Sequence, residues 1–331
     1  MKKKALVVRF SSIGDIILTT PVVRCMARQL DVEIHYLTKA GFRILLDANP
    51  YIDQVHTIQK EAGEVMDQLK SEQFDYIIDL HHNLRTFLLK QKLGRPSRSF
   101  NKINLKKWLK VNLGMDMLPD RHIVDRYMDT VTHLGVRNDG EGLDYFIPQI
   151  DIQWAGQYLS NLGIRRHVCL SVGAAHQTKC LTTEQMIRLC RGVDIPVLLL
   201  GGNVEFEKAK VIHEKSGGHV YNLCGDLTLN QSAAYISTAE LVVSHDTGIM
   251  HMAAALKKPV ISIWGNTIPA FGMTPYYGNQ QVWERKFEIS GLSCRPCSKI
   301  GFDACPKGHF RCIRELSPDD IADTIREKVH P

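Results

Sequence analysis

An acid, a hydroxyl and a glycine meet in the last third of the chain, where a short apolar segment changes into a helical pattern. Asp246, Thr247 and Gly248 follow the apolar residues 241–243, and His251 comes one helical turn later. The first amides of a helix are unpaired and carry the positive end of the helix dipole, so this junction predicts a phosphate or pyrophosphate site. An N-cap aspartate followed by a core-facing histidine would give the same pattern.

A second junction of this kind lies near the start of the chain. The apolar run 5–8 leads through Arg-Phe-Ser-Ser-Ile-Gly to Asp15, at the start of a helical pattern. Ligands of open α/β sheets bind at the carboxyl ends of the strands. A dinucleotide site would need a Gly-x-Gly-x-x-Gly loop, whereas this junction has one glycine and an acid that would repel a pyrophosphate. We therefore predict that Asp15 is a reacting group; the alternative is a first-turn aspartate that complements the helix dipole.

Two further segments of the second half carry groups suited to a nucleotide. Lys179 ends a turn of small residues after the apolar segment 168–173, where a lysine charge beside flexible backbone suits a diphosphate. Glu205, or alternatively Glu207, follows a double glycine at a strand end, where an acid can accept hydrogen bonds from ribose hydroxyls. A solvated lysine and an ordinary tight turn are the alternatives.

The elements that position these residues alternate between strand and helix patterns, as in parallel α/β domains. Strands are predicted at 5–10, 33–37, 75–79, 168–173, 196–201, 219–223, 240–244 and 259–264. Helices are predicted at 14–30, 62–72, 83–93, 122–135, 182–191, 204–216, 228–237 and 247–256. An extended, proline-containing segment at 144–151 breaks the alternation. We therefore predict an α/β protein with two doubly wound domains, 1–150 and 151–316, and a C-terminal helix at 317–331.

Composition excludes several classes of protein. The chain has 331 residues, 44% of them hydrophobic, which suffices for two domains with cores of their own. The first apolar run is too short for a signal peptide, and no apolar stretch approaches the length of a membrane span. We therefore expect a cytoplasmic protein whose 9 cysteines are mostly reduced.

Basic residues concentrate between Lys90 and Lys110, with Leu105, Trp108 and Leu109 among them. On a helix over about 103–113, this pattern is typical of a basic amphipathic surface that rests on an anionic membrane or grips an acidic substrate. A solvated basic face is the alternative. Nucleic-acid binding is not predicted, because no nucleic-acid-binding motif accompanies the charge.

Taken together, the motifs resemble glycosyltransferase family 9, the bacterial ADP-heptose:lipopolysaccharide heptosyltransferases. The resemblance runs through nearly the whole chain, and its two anchor motifs are long and specific. It rests on Phe10-Ser-Ser-Ile-Gly-Asp15, Gly173-Ala-Ala…Lys179, Gly201-Gly202…Glu205, Ser244-His-Asp-Thr-Gly-Ile-Met-His251 and Trp264-Gly-Asn-Thr. The cysteine-bearing segment from Cys294 to Cys312 is similar to that of the heptosyltransferase II-like branch.

The resemblance implies a GT-B architecture, in which two Rossmann-like domains face a cleft. The first domain would bind the acceptor and the second the nucleotide-sugar, and the last helix would pack back across both. The implied donor is ADP-heptose, and the implied acceptor is the anionic inner core of lipopolysaccharide or a related surface glycan. The enzyme would work in the cytoplasm, at the inner face of the inner membrane, which the basic tract at 90–110 would contact.

The resemblance also implies roles for individual residues. Asp15 would be the general base that deprotonates the acceptor hydroxyl for an inverting transfer. The donor pocket would comprise Lys179, Thr247 and Gly248 on the diphosphate, Asp246 and His251 beside it, and Glu205 or Glu207 on the ribose. Because the chain contains no Asp-x-Asp pair, whereas a lysine and a helix dipole can stabilise the leaving diphosphate, we predict transfer without a metal or other cofactor.

Three residues of the first predicted domain, Arg85, His122 and Arg126, are candidates for binding the acceptor. Arg85 begins the helical pattern after Asp79-Leu80-His81-His82, a position that resembles the acceptor-side motif of the family. A cation at a helix N-terminus does not help the fold, so we expect Arg85 to bind carboxylates or phosphates of the acceptor. His122 and Arg126 lie four residues apart on the following predicted helix. We expect both side chains to face the same cleft as Arg85; a solvated helix face is the alternative.

The four tail cysteines leave two interpretations open. Cys294, Cys297, Cys305 and Cys312, with His309 as a substitute, have the residue types of a structural zinc site, and reduced free thiols are the alternative.

For the whole chain, three competing functions remain. They are transfer from another nucleotide-sugar, nicotinamide-dependent oxidoreduction, and non-catalytic binding by a basic protein. The oxidoreductase would normally have a glycine-rich first turn, which this chain lacks.

Overall fold

In the computed structural model, which describes residues 2–330, the chain forms two compact units. The first comprises the residues up to Ile103, Arg121–Phe146 and Tyr276–Gln280. The second comprises Asn104–Asp120, Ile147–Pro275 and the residues from Gln281 onward. Phe146 ends the second of the three segments of the first unit, and the domain bounds 1–150 and 151–316 stay predictions.

The first unit is built on a five-stranded sheet whose pairs are all parallel, in the order β3-β2-β1-β4-β5. Its strands are β1 Lys3–Val8, β2 Val32–Lys39, β3 Gln54–Ile58, β4 Tyr76–Asp79 and β5 Ser97–Ser99. The central strand β1 is buried from Ala5 to Val8, as its unbroken apolar run predicts for a sheet covered on both faces. The strand order reverses between β1 and β4, and ligands of doubly wound sheets bind at such a point.

The second unit has a six-stranded parallel sheet in the order β11-β10-β9-β6-β7-β8. Its strands are β6 Val168–Ser171, β7 Val197–Leu200, β8 Val220–Asn222, β9 Leu241–His245, β10 Val260–Trp264 and β11 Glu284–Glu288. The order reverses between β6 and β9. The loops that follow these two neighbouring strands carry Lys179 and Asp246, so the topology itself brings the two residues to one sheet edge.

Helices connect the strands in both units. In chain order they are α1 Ile13–Ile17, α2 Thr20–Gln29, α3 Met66–Ser71, α4 Leu84–Leu93, α5 Asn104–Leu113, α6 Ile123–Met128, α7 Gln149–Asn161, α8 Thr183–Arg191, α9 Phe206–Ser216, α10 Leu229–Thr238, α11 Gly248–Ala255, α12 Arg311–Arg314 and α13 Pro318–Val329. Within residues 2–330, none of these helices has the length and apolar character needed to cross a membrane.

Several predicted elements differ from the structure. The predicted helix 14–30 is two helices, because Thr19 precedes a new helix start with proline in its first turn. Strands β3, β5 and β11 were not predicted; β11, Glu-Arg-Lys-Phe-Glu, is a charged edge strand without an apolar alternation. Helix α7 begins at Gln149, inside the segment predicted to be extended, because Pro148 sits at its N-cap.

The last helix, α13, packs on α8 of the second unit. Its side chains Ile321, Ile325 and Val329 are buried in the core of that unit. Ser317 caps its first turn by accepting a hydrogen bond from the Asp320 amide at 3.2 Å. The expectation that this helix packs back across both domains stays a prediction.

Candidate active site

Asp15 lies in the first turn of α1, directly after the central strand β1. Both of its carboxylate oxygens are engaged. Oδ1 lies 2.6 Å from Arg9 Nη2, and Oδ2 accepts hydrogen bonds from the Ser12 hydroxyl at 2.8 Å and the Ser12 amide at 3.2 Å. These contacts fix the direction of the carboxylate. The Asp15 side chain is still 21% exposed, so a substrate can reach it.

Arg9 is the group that holds Asp15, and it was not predicted from the sequence. Its side chain is 9% exposed and also donates hydrogen bonds to the Ser11 carbonyl at 2.8 Å, the Leu80 carbonyl and the Tyr127 hydroxyl at 3.0 Å. Burial would raise the pKa of Asp15, but the Arg9 charge and the Ser12 donors outweigh it, and the pKa lies below its usual value. Asp15 is therefore ionised at neutral pH.

His81 is a second group near Asp15 that the sequence analysis did not select. It follows β4, the neighbour of β1, and its ring packs on Phe10 with centroids 4.9 Å apart. Burial first, and then the charge of Arg9, lowers the pKa of His81 to about 4. The imidazole is therefore neutral at neutral pH. Its contact with Phe10 depends on the pairing of β1 with β4, which no local sequence pattern shows.

Arg85 is exposed in the first turn of α4, and it lines a cavity of about 470 Å³ in the first unit. The same cavity is lined by Lys39, Lys60 and Lys92, with Glu61 as the one acid among the residues that line it. Four cations facing one acid make this cavity attractive to an anion. Lys39 and Lys60 belong to segments that the sequence analysis did not connect with Arg85.

His122 precedes α6 and Arg126 lies within it, and their environments differ. His122 is the N-cap, where its Nδ1 accepts a hydrogen bond from the Val124 amide at 3.2 Å, and its ring stacks on Tyr276 at 4.7 Å. Arg126 is only 3% exposed and donates to the Asn101 carbonyl at 3.3 Å. The next residue, Tyr127, accepts a hydrogen bond from Arg9, so α6 packs beside the carboxyl end of β1, which Asp15 follows.

In the second unit, Lys179 and Asp246 form the centre of the other candidate site. Lys179 Nζ lies 2.7 Å from Asp246 Oδ2, and the Thr267 hydroxyl donates to the same oxygen at 2.9 Å. The two charged side chains are 14% and 13% exposed. The structure thus brings together Lys179 and Asp246, which the sequence analysis selected separately, and adds Thr267.

The loop that carries Lys179 is held by the segment after β10, which explains the Trp264-Gly-Asn-Thr motif. Thr178 donates to Asn266 Oδ1 at 3.1 Å, and the Asn266 amide donates to the Thr178 carbonyl at 3.2 Å. A Cβ on Gly265 would lie 2.3 Å from that carbonyl, so this position requires glycine. On the other side, the Leu181 amide donates to His245 Nε2 at 3.0 Å.

The N-terminus of α11 lies next to this ion pair. Thr247 is the N-cap, and its hydroxyl lies 3.2 Å from Ser244 Oγ; within the residues that the structure describes, the Thr247 side chain does not cap the helix. The first amides of a helix have no partner within the helix, and those of α11 follow Asp246, the partner of Lys179, so they meet the sequence requirement of an anion site. His251 lies one turn later and is 2% exposed, so it belongs to the interior of the unit.

Glu205 lies at the carboxyl end of β7, next to that of β6. Its Oε2 accepts a hydrogen bond from the Gly202 amide at 2.8 Å. A Cβ on Gly173 would lie 2.3 Å from Glu205 Oε1, so the glycine lets the carboxylate approach the backbone after β6. Glu207 is exposed in the first turn of α9. Of the two candidate acids, Glu205 is the one near the Lys179 loop.

The remaining predictions concern the basic tract at 90–110 and the four tail cysteines. Lys90 does not belong to a basic surface, because it forms a 2.8 Å ion pair with the buried Asp79. The tract at 90–110 is divided at Ile103 between the two units. Cys294 Sγ lies 3.7 Å from His309 Nε2. Within residues 2–330, the one group of three metal-binding side chains whose ligand atoms cluster is His35, His56 and Glu72, so the tail cysteines do not form such a group.

Comparison with known proteins identifies the family. The sequence profile described as glycosyltransferase family 9 (heptosyltransferase) matches residues 63–300, more than half of the chain. The chain belongs to glycosyltransferase family 9. It is therefore a glycosyltransferase, as predicted, and the oxidoreductase and non-catalytic binding hypotheses are wrong.

Individual relatives of this family 9 glycosyltransferase are distant but span its whole length. Lipopolysaccharide heptosyltransferase 1 of Campylobacter coli is 22% identical, with 98% of each chain covered. The glycosyl transferase family 9 structure from Veillonella parvula has a TM-score of 0.80 at 21% identity, covering 99% of this chain and 97% of that one. The Escherichia coli ADP-heptose lps heptosyltransferase II has a TM-score of 0.75 at 18% identity, covering 98% of each. These likenesses confirm the predicted GT-B fold class with two Rossmann-like α/β domains.

Proposed function

We propose that this enzyme is an inverting, metal-independent heptosyltransferase that transfers heptose from ADP-heptose to the inner core of lipopolysaccharide or a related surface glycan. The observation that carries the proposal is the Lys179–Asp246 pair beside the open N-terminus of α11. A lysine ammonium and unpaired helix amides are complementary to a leaving diphosphate. The names of the Campylobacter coli and Escherichia coli relatives supply the heptose, the ADP and the lipopolysaccharide.

In the donor site, Lys179 neutralises the charge that develops on the diphosphate, and the amides at Thr247 and Gly248 bind its oxygens. Asp246 holds Lys179 in place and remains hydrogen-bonded to Thr267 when the ammonium turns to the ligand. Preorganised donors of this kind contribute on the order of 3 kcal/mol each to transition-state stabilisation. Glu205 binds the ribose, and His251 supports α11 from the interior. In this scheme the protein supplies the charge that a divalent metal supplies in other transferases.

In the first unit, Asp15 accepts the proton of the acceptor hydroxyl while that oxygen attacks the anomeric carbon and the diphosphate leaves from the opposite face. One displacement of this kind inverts the anomeric configuration. A positioned base contributes about 10²–10⁴-fold to the rate. Arg9 keeps Asp15 ionised and fixes its direction.

The anionic acceptor is bound by the cavity that Arg85 lines with Lys39, Lys60 and Lys92. Arginine and lysine pair with the carboxylates and phosphates of a lipopolysaccharide core. Of the two predicted residues of this segment, we assign the sugar contact to the half-buried His122, while the buried Arg126 donates to the Asn101 carbonyl and has a structural role.

Contact with the cytoplasmic face of the inner membrane is proposed for α5. All ten residues of this helix are exposed or half-buried, and Leu105, Trp108 and Leu113 are 70%, 49% and 58% exposed beside the exposed Lys106. Cosedimentation with anionic vesicles, but not with neutral ones, is expected. It should fall in the double variant Leu105→Ser/Trp108→Ser, and equal cosedimentation of the variant would remove α5 from the proposal.

Calorimetric titration with ADP, UDP and GDP, with and without Mg²⁺, tests the donor half. We expect selective ADP binding that Mg²⁺ does not change. Lys179→Met should weaken it, and Lys210→Met, which removes an exposed lysine on α9, should not. Preference for UDP or GDP would overturn ADP-heptose, and dependence on Mg²⁺ would overturn metal independence. The anomeric configuration of the product, read by NMR, tests inversion.

A further inference from the structure

Two histidines and a glutamate of the first unit, His35, His56 and Glu72, form a cluster that has no part in the candidate sites. His35 on β2 and His56 on β3 are 0% and 2% exposed, and Glu72 follows α3. His35 Nδ1 lies 2.9 Å from His56 Nε2. One ligand atom of each of the three residues lies within 4.8 Å of the other two.

A fourth side chain fixes the tautomer of His35. Glu33 Oε1 lies 2.7 Å from His35 Nε2, and a carboxylate oxygen accepts the hydrogen bond from this nitrogen. The proton of a neutral His35 is therefore on Nε2, and the Nδ1 lone pair faces His56. A carboxylate on the far nitrogen of an imidazole is the arrangement that orients histidine ligands in metal sites.

The hydrogen bond between the two rings does not satisfy them. If His56 donates from Nε2, its Nδ1 is an acceptor; this buried atom makes no hydrogen bond of good geometry among the residues that the structure describes, and Gln68 is the polar side chain that acts on the ring. If His56 carries its proton on Nδ1 instead, two lone pairs face each other across 2.9 Å. The edge of Phe74 packs on both rings, at 5.1 and 6.4 Å between centroids. A buried polar group left in this state costs free energy.

We propose that His35, His56 and Glu72 bind a divalent transition-metal ion of the zinc type. Two imidazole nitrogens and one carboxylate match the ligand preferences of zinc, cobalt and nickel rather than those of magnesium or calcium. Metal–nitrogen bonds of 2.0–2.1 Å at a tetrahedral angle place two ligand nitrogens roughly 3.3 Å apart. The 2.9 Å between His35 Nδ1 and His56 Nε2 needs to lengthen only slightly.

Lys4 shows where the charge of such an ion would be balanced. Its Nζ lies 2.6 Å from Glu72 Oε2 and 3.7 Å from Glu33 Oε1, so an ammonium already joins the two carboxylates. A metal ion has to take Glu72 from Lys4. Replacing Lys4 by methionine should therefore tighten metal binding.

The site would be structural. It links β2, β3 and the end of α3, and Lys4 is on the amino-terminal half of β1, whereas Asp15 follows the carboxyl end of that strand. The ion would stabilise the first unit without touching the reacting groups. The inference therefore does not depend on the proposed function, and it is compatible with metal-independent transfer.

Cobalt(II) titration of the full chain tests the proposal, because four-coordinate Co²⁺ absorbs visible light. The background carries Cys294→Ser, Cys297→Ser and Cys305→Ser, which leaves the buried Cys312 as the one tail thiol, so that a group of tail thiols does not contribute a signal. We expect one Co²⁺ per chain, displaced by Zn²⁺ and accompanied by a rise in Tm. Glu72→Gln and His56→Gln should each weaken binding at least about tenfold, and Lys4→Met should strengthen it.

The control is His133→Gln, which removes an exposed histidine of the same unit and should leave the titration unchanged. His56 is buried, so its variant is informative only with a native circular dichroism spectrum; the half-buried Glu72 provides the second variant. Absence of stoichiometric Co²⁺ binding would overturn the proposal. Binding that survives Glu72→Gln undiminished would also overturn it, because the ion would then be elsewhere.

Discussion

The two candidate sites contain nearly the same ion pair, and its surroundings differ. Asp15 and Arg9 are 2.6 Å apart at the switch point of the first sheet, and Asp246 and Lys179 are 2.7 Å apart at that of the second. In the first pair the cation is immobile, because Arg9 makes further hydrogen bonds to Ser11, Leu80 and Tyr127. In the second pair the Thr267 hydroxyl donates a hydrogen bond to Asp246, and Lys179 carries its ammonium at the end of a flexible side chain.

This difference indicates which partner acts in each site. A fixed arginine beside a partly exposed carboxylate leaves the carboxylate as the group that meets a substrate. A fixed carboxylate beside a lysine leaves the ammonium as that group. One kind of contact can therefore prepare a base in one unit and an anion site in the other. The experiments below separate the two by their effects on turnover and on nucleotide affinity.

Removing the base should give the largest effect. Asp15→Asn keeps the size and the Ser12 contacts but cannot accept the acceptor proton, so we expect kcat to fall by about 10²–10⁴-fold. The Kd for ADP, measured by calorimetry, should not change, because the nucleotide residues belong to the second unit. Asp47→Asn, which neutralises an exposed acid of the first unit, is the control. Full activity of Asp15→Asn would remove Asp15 as the base.

Removing the mobile cation should have the opposite signature. Lys179→Met should weaken ADP binding by roughly 10- to 100-fold, the range for losing hydrogen bonds to a charged group. Lys179→Arg should recover part of this loss, since the charge is retained. If Lys179→Met lowers kcat and leaves the ADP affinity intact, the lysine affects turnover alone, as Asp15 is expected to do. The contrast between the two ion pairs would then be wrong.

The ribose contact should give a smaller effect. Glu205→Gln keeps an acceptor for the Gly202 amide but loses the charge, so we expect about a tenfold weaker affinity for ADP. The preference for ADP over 2′-deoxy- and 3′-deoxy-ADP should shrink in Glu205→Gln and persist in Glu207→Gln. If Glu207→Gln removes the preference instead, the two roles are exchanged.

The sequence predicted the carboxyl ends of the central strands β1 and β6 to within two residues, because buried parallel strands give unbroken apolar runs and their loops carry distinctive residues. Asp15, Lys179 and Asp246 were selected from these loops, and their roles stay predictions. Their contacts with Thr267 and Tyr127 were not predicted, although Thr267 ends the Trp264-Gly-Asn-Thr motif, because strand order and helix packing bring these residues to the sites and have no local pattern. The short charged strand β11 escaped for a related reason: an edge strand needs no apolar face.

The smallest effect at neutral pH, and the most direct test of the contrast, is expected from Arg9. Burial tends to raise the pKa of Asp15 and the Arg9 charge lowers it below its usual value, so Arg9→Gln should raise that pKa. Asp15 acts as a base only when ionised. Activity persists down to the depressed pKa in the native enzyme, and in Arg9→Gln the acid limb of kcat/KM should therefore move to higher pH.

Arg9→Lys should leave the acid limb closer to its native position, because a charge remains beside Asp15. The ADP affinity should be the same in all three proteins across this pH range. An acid limb that stays in place in Arg9→Gln would mean that the arginine orients Asp15 without setting its charge. The Ser12 hydrogen bonds would then be what keeps the carboxylate ionised, and Ser12→Ala would move the limb instead.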